Sequence, residues 1–533
     1  MRAVLTKRDG SRFRAWQAGL LALIFVMALG MIRSGASWGS SAYDPTTDPY
    51  SMQNVAAGDG APAWWSRGLT GNGVDVAVID TGVAPVPGLS GSDKIVNGPD
   101  LSLESQNPSL QYLDTNGHGT FMAGIIAGND GQPGGYRGVA PDARILSVKV
   151  GDADGSVDVS QVIAAIDWVV QHRHDNGMNI RVINLSYGTN STQPYTVDPL
   201  AFAAEQAWKA GIVVVTAAGN TGVGSGLADP AYDPWLISVG AADTNGTASF
   251  ADDQPASFSA GPPPCRPSTC RQPTLLAPGI HMQGLRVPGS YIDQNNPDAA
   301  LGDLYFRGSG TSEAAAYVTG AVALLLQRYP QLTPDMVKQM LMESAENLPG
   351  VPQAWQGSGE LDLTALLTTS PVAGHGIASR VKTPNCGPGR GGPHACTSST
   401  GTGSLELSRG TYHLSMNGVV LQGEEDIFGQ PFDSAEMAAL EAAGSSWSGG
   451  IWNGSSWSGS SWSGSSWSGS SWSGSSWSGS SWSGSSWSNL SWSGSSWSGS
   501  SWSGSSWSGS SWSGSSWSGL DWEGDQWLGA SWG

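Results

Sequence analysis

Five short apolar runs, each rich in β-branched residues, alternate along the chain with segments whose apolar residues recur three and four positions apart. Runs of the first kind predict buried strands, and segments of the second kind predict helices. The predicted strands are residues 74–80, 144–150, 181–186, 212–219 and 236–241, and the predicted helices are residues 159–173, 199–211 and 333–345. This alternation favours an α/β fold, a parallel sheet with helices on both faces.

Composition divides the 533 residues into parts of different character. The predicted divisions are an export signal or membrane anchor (1–36), a polar lead-in (37–60), the α/β domain (61–370), a linker with a small cystine-containing region (371–445) and a low-complexity repeat tail (446–533). The α/β part is long enough to bury a large core. Within the linker, the alternation and Asn-Gly pair of residues 405–421 predict a hairpin, and residues 434–444 predict a helix.

The N-terminus has the features of an export segment. Five basic residues, Arg2, Lys7, Arg8, Arg12 and Arg14, precede the apolar residues 18–32, and small residues at 34–36 suit a cleavage site. A cleaved signal is the favoured interpretation. An uncleaved anchor is the alternative, because the apolar segment extended to Ala15 approaches the lower limit for a membrane span. Both interpretations place the bulk of the chain outside the cytoplasm, in the medium or on the cell surface.

Charge and cysteine spacing narrow the function classes. The formal net charge of −19, with no basic stripe, argues against nucleic-acid binding. The four cysteines form two local pairs, Cys265 with Cys270 and Cys386 with Cys396, which predict two disulfides in an exported chain. A zinc site that includes His394 is the alternative, although the spacings match no common zinc finger.

Four polar residues stand at the edges of predicted elements. Asp80 ends a strand, Asn220 follows another strand, and His118 and Ser312 each open a helix. Singly, such residues are most often turn or cap residues. Together they supply a nucleophile, a base, an orienting carboxylate and an oxyanion donor, the groups that acyl transfer requires.

The local strings favour the chemical interpretation. In chain order they read DVAVIDTGV, NGHGTFMAGIIAG, VINLSYG, AAGN and GSGTSEAAAYVTGAVALLL, and over about residues 64–367 they resemble the subtilisin-like serine peptidases. The resemblance implies a subtilisin-like fold, a catalytic triad of Asp80, His118 and Ser312, and Asn220 as the oxyanion donor. It also implies a polypeptide substrate and assigns two segments that flank the primary specificity pocket: Ser186, Tyr187 and Gly188, and Ala217, Ala218 and Gly219.

The sequence departs from the family pattern near the nucleophile and upstream of the domain. Glu313 stands where the family usually has Met, and Ala316 and Tyr317 stand where it usually has Pro and His. A carboxylate beside the triad is expected to raise the pKa of His118 and to disfavour the oxyanion. A long folding pro-domain is expected before such a domain, but few residues separate the export segment from Ala61. No cofactor is required. Calcium, which several members bind, is possible but unsupported, because residues 127–141 do not form a well-matched calcium loop.

The tail repeats a Trp-Ser-Gly pentad, with a tryptophan at every fifth position from Trp447 to Trp532. Two interpretations remain open: a disordered Ser/Gly chain with spaced aromatic residues, or a stacked β-solenoid. Exposed indoles stack on sugar rings or on other aromatic groups, which suggests attachment to a cell-envelope glycan or self-association.

The whole sequence therefore predicts a secreted serine endopeptidase that works through an acyl-enzyme. Two alternatives are a catalytically silenced adhesin that displays the tail, and a processing peptidase or transpeptidase dedicated to one partner.

Overall fold

The computed structural model describes residues 43–448, except 92, 108, 133–134, 264–270, 372–396, 417–418 and 428–429, and short parts of the tail at 451–452, 455–458, 497–498, 501–503 and 511–513. The chain divides into two units between Asp44 and Pro45, and every element below belongs to the second unit.

A mixed, mainly parallel sheet forms the centre of the second unit. Its strands are β1 (Asp75–Asp80), β2 (Ile95–Asp100), β3 (Arg144–Lys149), β4 (Ile180–Leu185), β5 (Val213–Ala217), β6 (Ile237–Asp243), β7 (Gln254–Pro255) and β8 (Leu275–Pro278). The order is β2–β3–β1–β4–β5–β6, after which β6 pairs with β8 in parallel and with β7 in antiparallel orientation. All five predicted strands are present and pair in parallel, which confirms the predicted sheet.

Helices lie before, between and after these strands along the chain. They are α1 (Met52–Asp59), α2 (Ala61–Trp65), α3 (His118–Ala127), α4 (Val159–His172), α5 (Pro199–Lys209), α6 (Tyr291–Asn295), α7 (Thr311–Arg328), α8 (Pro334–Ser344), α9 (Gln353–Gln356) and α10 (Leu363–Thr368). The predicted helices at 159–173, 199–211 and 333–345 are confirmed as α4, α5 and α8. Each begins at a side-chain cap, because an oxygen of Asp158, Asp198 or Thr333 accepts a backbone N–H of the first turn.

Helix α7 is buried on every side from Thr311 to Leu326, because its apolar and small residues occupy all of its faces. It packs against α3 and against β4, β5 and β6. A three-stranded antiparallel sheet, β9 (Met282–Leu285), β10 (Ala300–Leu301) and β11 (Tyr305–Gly308), leads into the start of α7. The sequence interpretation missed these short strands because they lack a sustained alternation.

The polar lead-in contains α1, which packs into the core of the domain. Ser51 caps the helix, and Met52, Val55 and Ala56 are buried. The backbone N–H of Met52 donates to Oε1 of Gln283 at 2.9 Å, a contact between residues far apart in sequence. Residues 51–59 thus belong to the folded domain, although their composition is that of a linker.

The segment that follows the gap at 372–396 contains α11 (Leu405–Arg409), β12 (Ser415–Met416), β13 (Val419–Val420) and α12 (Ser434–Ala442). The hairpin predicted for residues 405–421 is therefore wrong in its first part and confirmed only where β12 pairs with β13. The oxygen of Ser404 accepts the N–H of Leu407, so a cap starts a helix where alternation suggested a strand. The helix predicted at 434–444 is confirmed as α12.

The described residues between 397 and 452, here called the strap, bind to the outer helices of the domain. Arg409, 1% exposed, donates from Nε to Oδ2 of Asp158 at 2.6 Å. Trp447 donates from Nε1 to the carbonyl of Ala164 at 3.0 Å, and Trp452 donates to a carboxylate oxygen of α4. The first two tryptophans of the pentad series are therefore part of the folded domain.

The repeat forms short antiparallel strands in two places. The first group is β14 (Trp447–Ser448), β15 (Ile451–Trp452) and β16 (Ser455–Ser458), and the second is β17 (Trp497–Ser498), β18 (Ser501–Ser503) and β19 (Ser511–Ser513). Trp447 pairs with Trp452 in the first group, and Trp497 pairs with Trp502 in the second. In both groups the two paired tryptophans come from successive pentads, so the strand register is the same. Most other pentads lie outside the described residues, so both interpretations of the tail stay predictions.

Several predictions fall on residues that the structure does not describe. These are the export segment at 18–32, the four cysteines Cys265, Cys270, Cys386 and Cys396, and His394. Among the described residues, no helix combines the length and apolarity that a membrane span needs.

Candidate active site

Asp80 and His118 form a buried pair at the carboxyl edge of the sheet. Asp80 is the last residue of β1, and His118 is the first residue of α3. Nδ1 of His118 lies 2.8 Å from Oδ1 and 3.0 Å from Oδ2 of Asp80. The histidine is 4% exposed and the aspartate 0%. A carboxylate in this position fixes one tautomer of the ring and leaves Nε2 as the acceptor.

The loop before His118 is organised by Asp114, a residue that the sequence interpretation missed. Oδ1 of Asp114 accepts the N–H of Gly117 at 2.7 Å and the hydroxyl of Thr81 at 2.8 Å. Oδ2 accepts the N–H of Thr120 at 2.8 Å and its hydroxyl at 2.6 Å. The available signal was its place in the string DTNGHGT, but an aspartate in a turn string is usually only a turn residue.

Gly119, directly after His118, occupies a position where a side chain does not fit. A Cβ on Gly119 would lie 2.1 Å from the carbonyl oxygen of Gly82 and 3.1 Å from Oδ1 of Asp80. Only glycine therefore lets α3 start close enough to the end of β1 for the Asp80–His118 contact to form.

The charge on His118 is stabilised by nearby carboxylates. Burial alone would lower the pKa of His118, but the charge and hydrogen bond of Asp80 and the charges of Glu313 and Asp114 raise it, and the net pKa is raised. The imidazolium that forms during acyl transfer is therefore favoured in this setting.

Ser312 is the second residue of α7 and is 1% exposed. Its hydroxyl donates to the carbonyl of Ser186 at a long 3.5 Å, and the hydroxyl of Ser186 donates to the carbonyl of Ser312 at 3.2 Å. Nδ2 of Asn184 supports Ser186 at 3.0 Å, so the start of α7 is tied to the end of β4. The serine thus lies where the free N–H groups and positive dipole of a helix N-terminus favour an oxyanion.

Asn220 is held by Thr311, another residue that sequence interpretation missed. Oδ1 of Asn220 accepts both the N–H and the hydroxyl of Thr311, each at 2.9 Å. The same hydroxyl accepts the N–H of Gly219 at 3.1 Å. With its oxygen engaged by Thr311, the amide would offer Nδ2 to a developing oxyanion.

The two predicted substrate segments stand at the carboxyl ends of the neighbouring strands β4 and β5. They are Ser186, Tyr187 and Gly188, and Ala217, Ala218 and Gly219. A Cβ on Gly188 or on Gly219 would lie 2.8 or 3.2 Å from Cβ of Ala228, whose N–H donates to the carbonyl of Ala218. Ala228 thus lies between the segments, and glycine at both positions keeps the space around it open.

Glu313 faces the site rather than the outside of the helix. It is 4% exposed and lines a cavity of about 320 Å³ together with His118, Phe121 and Gly308. Burial raises the pKa of Glu313 to about 7. Ala316, at the other departure from the family pattern, is fully buried in the core of the domain.

The donors that a metal ion would need are not grouped in the part of the chain that the structure describes: no cluster of three or more His, Cys, Asp or Glu side chains is arranged for one. The statement on calcium stays a prediction.

The structure therefore places two linked pairs at the carboxyl ends of the strands: Asp80 with His118, and Asn220 with the start of α7 that carries Ser312. These are the parts of an acyl-transfer site.

Known proteins are similar in sequence to the part of this chain that contains these residues. Serine protease AprX of Bacillus subtilis (strain 168) is 41% identical over 283 residues, 52% of this chain and 62% of that protein. Thermostable alkaline protease of Halalkalibacterium halodurans is 36% identical over 283 residues, 53% of this chain and 65% of that protein. Subtilisin Savinase of Lederbergia lenta is 35% identical over 291 residues, 54% of this chain and 89% of that protein. The chain thus spans less than two thirds of the first two relatives.

A solved structure described as a cold adapted subtilisin-like serine proteinase is 30% identical and covers 55% of this chain and 88% of its own, with a TM-score of 0.41. The profile of the subtilase family matches residues 71–361, more than half of the chain. Those residues include Asp80, His118, Asn220 and Ser312, and the chain therefore belongs to the subtilase family.

Proposed function

We propose that this chain is an exported serine endopeptidase that hydrolyses peptide bonds in polypeptide substrates through Asp80, His118 and Ser312. The observation that carries the proposal is the buried contact of 2.8 Å between His118 Nδ1 and Asp80 Oδ1, with Ser312 at the N-terminus of α7. Membership of a family whose relatives above are named as proteases supports it.

The reaction follows from the roles of these groups. Nε2 of His118 takes the proton of Ser312 as the oxygen attacks the scissile carbonyl, and Asp80 stabilises the imidazolium. Nδ2 of Asn220 and the backbone N–H of Ser312 stabilise the oxyanion. His118 then gives the proton to the leaving amine. Water then attacks the acyl-enzyme and gives a proton to His118, which passes it to the oxygen of Ser312 as the bond to the acyl group breaks.

Labelling with a fluorophosphonate serine probe tests this proposal directly. The full chain should be labelled, the Ser312→Ala variant should not, and the Ser66→Ala variant, which changes an exposed serine, should be labelled like the parent. Absence of labelling in a folded parent would contradict the proposal and favour the silenced adhesin.

The alternative of a dedicated processing peptidase or transpeptidase predicts a different pattern. Such an enzyme would label with the probe but would leave general protein substrates uncut. Cleavage of unfolded casein by the parent, with loss in Ser312→Ala, would favour the general endopeptidase.

Export of the chain is the remaining part of the proposal, and it can be tested separately. A cleaved signal predicts that protein recovered from the medium begins near Ser37, after the small residues at 34–36. Recovery of full-length chain in the membrane fraction would favour the anchor.

For the tail we propose attachment to a cell-envelope glycan, with self-association as the alternative. The support is the series of indoles beyond Trp452, since indoles stack on sugar rings. The full chain should sediment with purified cell-wall glycan, and a variant that ends at Ser458 should not. Equal behaviour of the two would contradict attachment, and a larger mass of the full chain alone would favour self-association.

A further inference from the structure

The cavity in front of Glu313 opens beside His118, the group that protonates the leaving amine in the proposed reaction, and it extends to Gly308. None of its described lining residues belongs to 186–188 or 217–219, the segments assigned to the acyl side of the substrate. The substrate residue that follows the scissile bond would therefore enter this cavity.

The cavity combines apolar walls with a buried carboxyl group. Phe121, Leu285, Val287 and Phe306 contribute the walls, which suit an aliphatic stem. Oε2 of Glu313 is buried and has no hydrogen-bond partner among the residues that the structure describes. A buried acceptor without a partner is costly, and a substrate donor placed there would remove that cost.

The basic side chains around the cavity already have partners. Arg286 donates from Nε to Oδ1 of Asp293 at 2.5 Å, and Arg307 pairs with Oδ2 of Asp48. Among the described residues of the lining, Glu313 is thus an acid without an arginine or lysine partner. A positively charged group of a substrate would therefore complement the carboxylate of Glu313 in this cavity.

Gly308 keeps the approach to this carboxyl group open. A Cβ at position 308 would lie 2.4 Å from Oε1 of Glu313 and 2.8 Å from Cζ of Phe121. Any side chain at this position would displace the carboxyl group or cover it.

We infer that Glu313 is a specificity-determining residue that selects a basic side chain in the substrate residue immediately after the scissile bond. The inference rests on the proposed function and deepens it. The ammonium or guanidinium group would donate to Oε2 of Glu313, and the stem would lie against Phe121 and Leu285. Burial raises the pKa of Glu313 to about 7, and an entering cation supplies the stabilisation that the buried charge lacks.

The test uses quenched peptides that differ only in the residue after the scissile bond: lysine, arginine, norleucine or glutamate. At pH 8, with Glu313 ionised, the full chain should cleave the lysine peptide with a kcat/KM about 10–100-fold above that of the norleucine peptide, the range expected for one hydrogen bond to a charged group. Mass spectrometry of the products identifies the bond that is cut. A ratio near one would overturn the inference.

Matched variants separate specificity from general damage. Glu313→Gln should bring the ratio of lysine to norleucine close to one, because the kcat/KM of the lysine peptide falls more than that of the norleucine peptide. Gly308→Ala should lower the same ratio by displacing the carboxyl group, whereas Asp298→Asn, an exposed acid outside the lining, should leave it unchanged.

Different results would refute the proposed peptidase activity and the inferred selectivity of Glu313. Labelling without a lysine preference refutes the selectivity and leaves the peptidase standing. No labelling of the parent refutes the peptidase itself. A lysine preference that persists in Glu313→Gln would show that another group selects the cation and would also overturn the inference.

Discussion

Oδ1 of Asn220 accepts two hydrogen bonds from Thr311, one from the backbone N–H and one from the hydroxyl, each 2.9 Å long. Thr311 is the residue before Ser312, the proposed nucleophile, so the first turn of α7 holds Asn220, the proposed oxyanion donor. This contact couples two groups that lie 91 positions apart in sequence.

Removing the oxyanion donor should slow the chemical step. We expect Asn220→Ala to lower kcat by about 10²–10³-fold with little change in KM, a range that itself comes from removal of such an asparagine in a subtilisin. Thr311→Val keeps the backbone contact and loses the hydroxyl contacts, and we expect a loss of roughly tenfold. Steady-state kinetics measures both. Equal and full activity of both variants would show that Asn220 is not the donor.

Asp114 should act through the position of His118. Its two oxygens accept from Thr81, Gly117 and Thr120, and an amide in its place would set an NH₂ group against one of these donors. We expect Asp114→Asn to lower the free energy of unfolding by about 1–3 kcal/mol and to reduce kcat. Urea denaturation and peptide kinetics measure the two effects, with the exposed Asp303→Asn as the control.

Glu313 should shift the pH dependence of activity. His118 must be neutral to act as a base, so the acid limb of the profile of kcat/KM reports its pKa. The Glu313 carboxylate is among the charges that raise this pKa. We expect Glu313→Gln to move the acid limb to lower pH, measured with the norleucine peptide between pH 5 and 9. Movement to higher pH would contradict the proximity of the two groups.

Trp452 should stabilise the domain although it belongs to the repeat series. It is fully buried and donates from Nε1 to Oδ2 of Asp167 at 2.9 Å. We expect Trp452→Ala to lower the free energy of unfolding by about 3–5 kcal/mol, the usual cost of removing a buried tryptophan. Trp168→Ala removes a tryptophan of α4 that is only partly buried, and it should cost less. Unchanged melting of Trp452→Ala would refute docking of the strap.

Asp167 should make the free energy of unfolding of the domain fall as the pH rises. Burial raises the pKa of Asp167 to about 7 against an ordinary value of 3.8. Between these values the unfolded state loses its proton and the folded state keeps it, so the free energy of unfolding falls by at most about 1.4 kcal/mol per pH unit. Asp167→Asn should flatten this slope while keeping an acceptor for Trp452. Burial and Asp167 raise the pKa of the nearby Glu441, so Glu441→Gln should flatten the slope further.

The strands of the sheet and the helices that pack on it were predictable because their sequence patterns are local. The apolar run from Asp75 to Asp80 and the spacing of α4 each reflect the faces that one element buries. The first part of the hairpin predicted at 405–421 is a helix instead, because the cap at Ser404 and the ion pair of Arg409 with distant Asp158 favour one there. Alternation alone carries no information about such partners.

The amino-acid sequence by itself determined the parallel α/β architecture and the family. It also identified the four polar groups at the element edges: Asp80, His118, Asn220 and Ser312. Local spacing is enough for this, because a buried strand and a helix N-terminus each impose their own composition. Only the tertiary structure decided that Glu313 faces the cavity, that Asp114 and Thr311 orient the site, and that Trp447 and Trp452 pack on α4. Those facts depend on contacts between residues far apart in sequence, which form only when the chain closes around its core.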